Sequence, residues 1–182
     1  MIRWQRYPLL LALLTALLAF LLNQQATRSP APVSPQIDRF SAYTAFDLLA
    51  RILGDESPHP TGSAANHRVR DELILVLAEI GLAVDIQRQW GCSNRASRCA
   101  WVENLVAEIP GSETGPYLAL MAHYDSVPVA PGAGDDGAGV VAVLETAKRL
   151  LKEPALKWPV LLVLTDAEEL GLLGAEAFFA NH

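Results

Sequence analysis

The sequence is poor in cysteine and contains no internal repeat. The two cysteines, Cys92 and Cys99, are too few for a disulfide-rich scaffold, and their spacing lacks the CxxC pattern of a zinc knuckle. They could form a disulfide closing a small loop, which export would favour, or remain free thiols. The chain also has a shortage of basic residues, with a formal net charge of −6 at pH 7. This balance argues against a nucleic-acid partner and is compatible with metal ions or cationic groups.

Acidic residues are absent from the first 36 positions, which contain three arginines. Basic residues precede an apolar run at 8–22, a pattern that predicts a cytoplasmic N-terminus and an exported remainder, whether periplasmic, extracellular or lumenal. The run is shorter than the roughly 20 residues that a spanning helix needs. A signal peptide is the alternative, but no small-x-small cleavage site follows. We expect an uncleaved single transmembrane helix within 1–26 and a Pro-rich linker at 27–36.

The remaining residues alternate between apolar strand patterns and helical patterns. This alternation predicts an α/β fold with a mixed, mostly parallel sheet covered by helices on both faces. The predicted helices cover residues 35–53, 64–80, 137–151 and 170–180. The predicted strands cover residues 82–90, 101–109, 117–122 and 158–165.

Metal-ligating residue types follow two of the apolar strands directly. His123 and Asp125 come after one strand, and Asp166, Glu168 and Glu169 come after another. In α/β sheets, ligands bind just beyond the carboxyl ends of strands. The two clusters are therefore expected at one edge of the sheet, although a surface loop with a solvated histidine remains the alternative for the first.

A third cluster, GAGDDGAG at 132–139, places two aspartates among glycines before a predicted helix. The acids could simply favour the helix dipole. The spacing does not fit an EF-hand, and acidic residues would repel phosphate. Flanking glycines allow unusual backbone angles and close approach, which suits an aspartate that bridges two cations.

Taken together, the clusters supply His123, Asp135 and Glu169, the residue types that bind catalytic zinc. One of the adjacent Glu168 and Glu169 could bind metal while its neighbour acts as general base, although acids at a helix N-terminus are common. Two metals sharing a carboxylate would hold a water and generate hydroxide near neutral pH.

Three segments in this order resemble the zinc-dependent aminopeptidases of peptidase family M28. They read HYDSV, PGAGDDGAGV and TDAEELGLLGAEAF. The likeness is greatest to membrane-bound members of the endoplasmic reticulum metallopeptidase type. The segment PHPTGSAANHRVRDEL, residues 58–73, resembles the part that precedes the catalytic core in those proteins.

The resemblance assigns a role to each site residue. It implies that His123 binds one Zn²⁺, that Asp135 bridges two, and that Glu169 binds the second. Glu168 would be the general base and Asp125 would orient His123. A cis peptide bond is implied after Asp135.

The expected function is that of a membrane-anchored dizinc aminopeptidase, which hydrolyses the N-terminal bond of a peptide substrate through a metal-bound hydroxide. The family also requires an aspartate and a histidine that have no counterpart up to residue 182. We therefore expect residues 37–182 to be the N-terminal part of a dizinc peptidase domain. The alternatives are an inactive truncated fragment, a non-catalytic scaffold or receptor domain of the same fold, and a dizinc carboxypeptidase or deacylase. The sequence does not indicate an oligomeric state.

Overall fold

The structure is a computed structural model that describes residues 7–25, 40–93, 96–154 and 156–181. The described residues divide into two compact units, one within 1–34 and the other within 35–182. The first contains helix α1, Tyr7–Gln25, where the sequence predicts an apolar helix. Within the described residues, no helix combines the length and apolar character that crossing a membrane requires. The single transmembrane helix expected within 1–26 stays a prediction from the sequence. The predicted linker lies outside the described residues.

A four-stranded sheet organises the second unit, in the order β1-β2-β4-β3. Its strands are β1 Val84–Ser93, β2 Arg98–Ile109, β3 Leu118–His123 and β4 Val160–Thr165. The mixed α/β sheet predicted from sequence is confirmed, since β1, β3 and β4 run in one direction and β2 runs against them. Only β3 and β4 pair in parallel, whereas β2 runs antiparallel to both β1 and β4. The short connection between β1 and β2 accounts for the antiparallel pairing of these two strands, since strands joined by a hairpin run in opposite directions.

Among the residues that the structure describes in the second unit, four α-helices accompany the sheet: α2 Ala42–Leu53, α3 Ala64–Glu79, α4 Ala138–Leu150 and α5 Leu173–Asn181. Serine hydroxyls cap the first two, since Ser41 accepts from the Thr44 amide and Ser63 from the Asn66 amide. The helix predicted from residue 35 therefore begins only at Ala42, because Ser41 adopts an extended conformation as its N-cap. Residues 35–39 lie outside the described part.

Side chains alternate across β2 and pack against helices on both faces of the sheet. On one face Leu105 belongs to the main core, together with Leu73 of α3 and Leu144 of α4. On the other face Val106 packs with Phe178 of α5. The strands β3 and β4 pair in a register that places His123 beside Thr165. The segments that follow these two strands therefore leave the sheet side by side.

We expect Leu144→Ala to reduce the free energy of unfolding by about 2–5 kcal/mol, because a fully buried side chain would leave a cavity in the main core. Urea denaturation of the full chain measures this change. Leu75→Ala on α3 is the matched control, since Leu75 is 55% exposed and its loss should change the free energy by less than about 0.5 kcal/mol. Equal losses for both variants would contradict the assigned core.

Candidate metal centre

His123 ends β3, and its ring lies between two aspartates. The side chain is buried, with Nε2 3.1 Å from Oδ1 of Asp135. On the other side, Nδ1 lies 3.1 Å from the carbonyl oxygen of Asp125 and 3.4 Å from its Oδ1. With Nδ1 turned toward Asp125, Nε2 is directed to the side of the ring where Asp135 lies.

Asp125 connects this histidine to the chain segment that follows β4. Its carboxylate is fully buried. Oδ1 accepts a hydrogen bond from the backbone amide of Glu168 at 2.9 Å, and Oδ2 accepts one from Glu169 at 3.1 Å. One carboxylate therefore sets the position of the backbone at both glutamates while it also contacts His123.

The glycine-rich segment before α4 turns its two aspartates in different directions. The Asp135–Asp136 peptide bond is cis, as the family resemblance implies. Asp136 accepts hydrogen bonds from the backbone amides of His123 and Gly139, at 3.4 and 3.1 Å, and so ties the segment to β3. A side chain at Gly139 would collide with the Asp136 carboxylate. Asp135 points outward, and its side chain is 86% exposed.

The two glutamates lie in the turn after β4 and meet His123. One ligand atom from each of His123, Glu168 and Glu169 can be chosen so that all three lie within 4.8 Å of one another. Glu168 Oε2 is 4.0 Å from His123 Nε2. A ring nitrogen surrounded by carboxylate oxygens is a donor set that Zn²⁺ accepts, so the residues present fit this ion.

Electrostatics at this cluster favour a positive charge. Burial lowers the pKa of His123, but hydrogen bonds to Asp125 and Asp135 and the nearby carboxylate charges raise it by more, to about 9. Burial and the charges of Glu168 and Asp135 raise the pKa of Glu169. In the metal-free chain, the His123 contribution to stability is therefore fully present below pH 6.5 and is lost as the pH rises through about 9.

Asp166 lies behind this cluster rather than within it. Its backbone amide donates to the Asn104 side chain at 3.1 Å, which fixes the chain direction as β4 ends. Its carboxylate is buried, and burial together with the charge of Asp125 raises its pKa to about 6. The carboxylate accepts hydrogen bonds from the Thr61 hydroxyl at 3.1 Å and from the Asn66 amide at 3.3 Å.

Sequence reasoning placed five site residues at one sheet edge, and the structure brings His123, Asp125, Asp135, Glu168 and Glu169 together there. It gave no role to Asp136, Thr61, Asn66 or Asn104, because each acts through a contact with a residue distant in sequence or with backbone. For Thr61 and Asn66, the signal that could have pointed to a role was the resemblance of residues 58–73 to the family, since both residues lie in that segment. Away from this edge, Cys92 and Cys99 are joined by a disulfide between facing positions of β1 and β2.

The fold is similar to that of a zinc aminopeptidase from Bacillus subtilis, with a TM-score of 0.67 and 16% identity over 80% of this chain and 66% of that one. It is also similar to glutaminyl cyclase from Porphyromonas gingivalis, with a TM-score of 0.65 and 26% identity over 76% of this chain and 52% of that one. The architecture therefore belongs to a fold class that includes both a zinc aminopeptidase and a glutaminyl cyclase.

Sequence comparison identifies the family within that class. The model of peptidase family M28 matches residues 104–182. A vacuolar membrane protease of Lachancea thermotolerans is 34% identical over 145 residues, which cover 69% of this chain and 15% of that protein. The chain belongs to peptidase family M28. It matches about 15% of the length of this curated relative.

We expect Asp135→Asn to lower the pKa of His123 from about 9 toward its ordinary value of 6.5, because one of its two carboxylate partners becomes neutral. Imidazole resonances followed by NMR against pH in the metal-free chain measure this shift. Asp47→Asn, at an exposed position on α2, is the control and should leave the titration unchanged. An unchanged His123 midpoint in Asp135→Asn would contradict the contact.

Proposed function

We propose that this chain forms the metal-binding part of a membrane-associated dizinc aminopeptidase that hydrolyses the N-terminal bond of a peptide. One observation carries the proposal, namely the convergence of His123, Asp135, Glu168 and Glu169 from separate segments at one sheet edge. Membership in peptidase family M28 supports peptide hydrolysis as the reaction.

The proposed ligands are His123 through Nε2 for one zinc ion, Glu169 for the second, and Asp135 for both. Asp135 suits the shared position because its exposed carboxylate has two oxygens and lies beside His123 Nε2. Glu169 suits its position because its raised pKa reports crowding among carboxylates that a cation would relieve. Bound zinc would polarise the scissile carbonyl and lower the pKa of the attacking water.

Glu168 is the proposed general base. Its carboxylate is only partly buried and reaches to 4.0 Å from His123 Nε2, so it faces both the metal ligands and solvent. In this role it takes a proton from the attacking water and delivers it to the leaving amine. Asp125 positions the base, because its carboxylate holds the backbone amide of Glu168.

The name of the vacuolar membrane protease supports membrane association. We propose that the N-terminal segment with helix α1 holds the protein at a membrane, with the peptidase domain on the exported side. The full chain should then stay in the membrane pellet through an alkaline wash, because its attachment is apolar rather than ionic. Recovery in the wash would contradict apolar attachment.

A second candidate reaction is cyclisation, supported by the likeness to glutaminyl cyclase. A peptide with an N-terminal glutamine separates the two reactions. A peptidase would release the glutamine and shorten the peptide, whereas a cyclase would remove only ammonia and keep every residue. Mass spectrometry of the products distinguishes the outcomes. A scaffold domain would produce neither change.

For the proposed peptidase, Glu168→Gln should lower kcat by about 10²–10⁴-fold, because it removes the general base. The same variant should still bind zinc, since the proposed ligands remain. Peptide hydrolysis and zinc content are measured on the full chain. Glu176→Gln is the matched control, because Glu176 is exposed on α5.

Full activity in Glu168→Gln would exclude this residue as the base. Absence of zinc binding by the unsubstituted chain would instead favour the scaffold alternative, as would zinc binding that Asp135→Asn leaves unchanged.

A further inference from the structure

The loop between α2 and α3 reaches the metal centre through Thr61. Its hydroxyl lies 3.3 Å from Oδ2 of Asp125 and 3.1 Å from Oδ1 of Asp166. These two carboxylates follow different strands, β3 and β4. Thr61 is therefore the side chain through which the loop contacts both segments that build the site.

The loop is itself fixed against the segment after β3. The backbone amide of His59 donates to the Ser126 hydroxyl at 2.8 Å, and the Ser126 amide donates to the His59 carbonyl at 3.3 Å. His59 is buried between two prolines, which restrict the backbone on either side. These contacts hold Thr61 in place independently of its own hydroxyl.

The Thr61 hydroxyl is the third hydrogen-bond donor to the Asp125 carboxylate, after the backbone amides of Glu168 and Glu169. Its Oδ1 accepts from the Glu168 amide and lies beside His123, whereas its Oδ2 accepts from the Glu169 amide. Both amides belong to one turn, so they hold the carboxylate from a single side. The Thr61 hydroxyl approaches from a different segment and fixes the rotation of the carboxylate about its Cβ–Cγ bond.

The Asp166 carboxylate helps to hold the Thr61 hydroxyl in position, and it is not one of the proposed zinc ligands. Its Oδ1 also accepts from the Ala167 amide and the Asn66 side chain, and its Oδ2 accepts from the Glu103 amide. A threonine hydroxyl has one proton and two lone pairs, so at any moment it donates to one of the two carboxylates.

We propose that Thr61 is a positioning residue for the metal centre, which acts by orienting Asp125 and through it His123 and the two glutamates. The inference rests on the proposed function, because it assigns to Thr61 an effect on zinc binding. It also gives a physical role to the segment at 58–73, which contributes no ligand to the cluster at the sheet edge.

Thr61→Val removes the hydroxyl and keeps the side-chain shape. We expect it to weaken zinc binding by about tenfold, the lower end of the effect of losing a group that orients a ligand. Competition against a chromophoric chelator measures affinity in the full chain. Thr61→Ser should restore affinity to within about threefold of the unsubstituted chain, because the hydroxyl returns. Thr146→Val is the matched control, since Thr146 bonds only the Ala142 carbonyl within α4.

A second readout needs no metal. Thr61→Val should change the His123 ring ¹⁵N chemical shifts in the metal-free chain, because the orientation of its Asp125 partner changes, and Thr146→Val should not. Should Thr61→Val fail to fold by circular dichroism, Thr61→Ala replaces it and avoids the added methyl group.

Unchanged zinc affinity together with unchanged ring shifts would overturn the proposal. Equal weakening in Thr61→Ser and Thr61→Val would also overturn it, because packing rather than the hydroxyl would then be responsible. If the unsubstituted chain binds no zinc, the proposed function fails, and the ring shifts alone decide whether Thr61 orients Asp125.

Discussion

The geometry of the site depends on the buried carboxylate of Asp125. A charge in this position is costly to bury unless it is fully hydrogen-bonded. The backbone amides of Glu168 and Glu169 meet this requirement, and the Thr61 hydroxyl adds a third contact. The same bonds that make burial tolerable also fix where the two glutamates start. The hydrogen bonds that compensate the buried charge of Asp125 are thus the same bonds that position the site.

The sheet makes this arrangement possible, because β3 and β4 run parallel and end together. His123 is the last residue of β3 and Asp125 follows it, while the segment after β4 brings the two glutamates. Asn104 on the neighbouring antiparallel strand supports the second segment from the side, since its side chain bonds both the Asp166 amide and the Gly174 carbonyl. The parallel pair of the mixed sheet therefore positions His123 and Glu169, two of the proposed ligands, and its antiparallel strand β2 supports the segment after β4.

The parts predictable from sequence are those with a local signal. Apolar runs mark β3 and β4, and the residue types that directly follow them predict a metal-binding edge. The direction of β2 was not predictable in this way, since it depends on a hairpin whose pairing involves both strands. The inward turn of Asp136 was also hidden, because two adjacent aspartates look equivalent in sequence and only the fold assigns them opposite directions. The contact of Thr61 with Asp125 spans 64 residues and follows no periodic pattern.

The proton that His123 holds in the metal-free state has a consequence for metal uptake. Since the pKa of this ring is about 9, the imidazole is mainly protonated at neutral pH. In the proposed zinc-binding state the ring must be neutral, so binding at a pH well below 9 displaces about one proton from this residue into the buffer. The observed heat of binding would then vary with the ionisation enthalpy of the buffer. An acidic compartment would weaken zinc retention, and a neutral one would strengthen it.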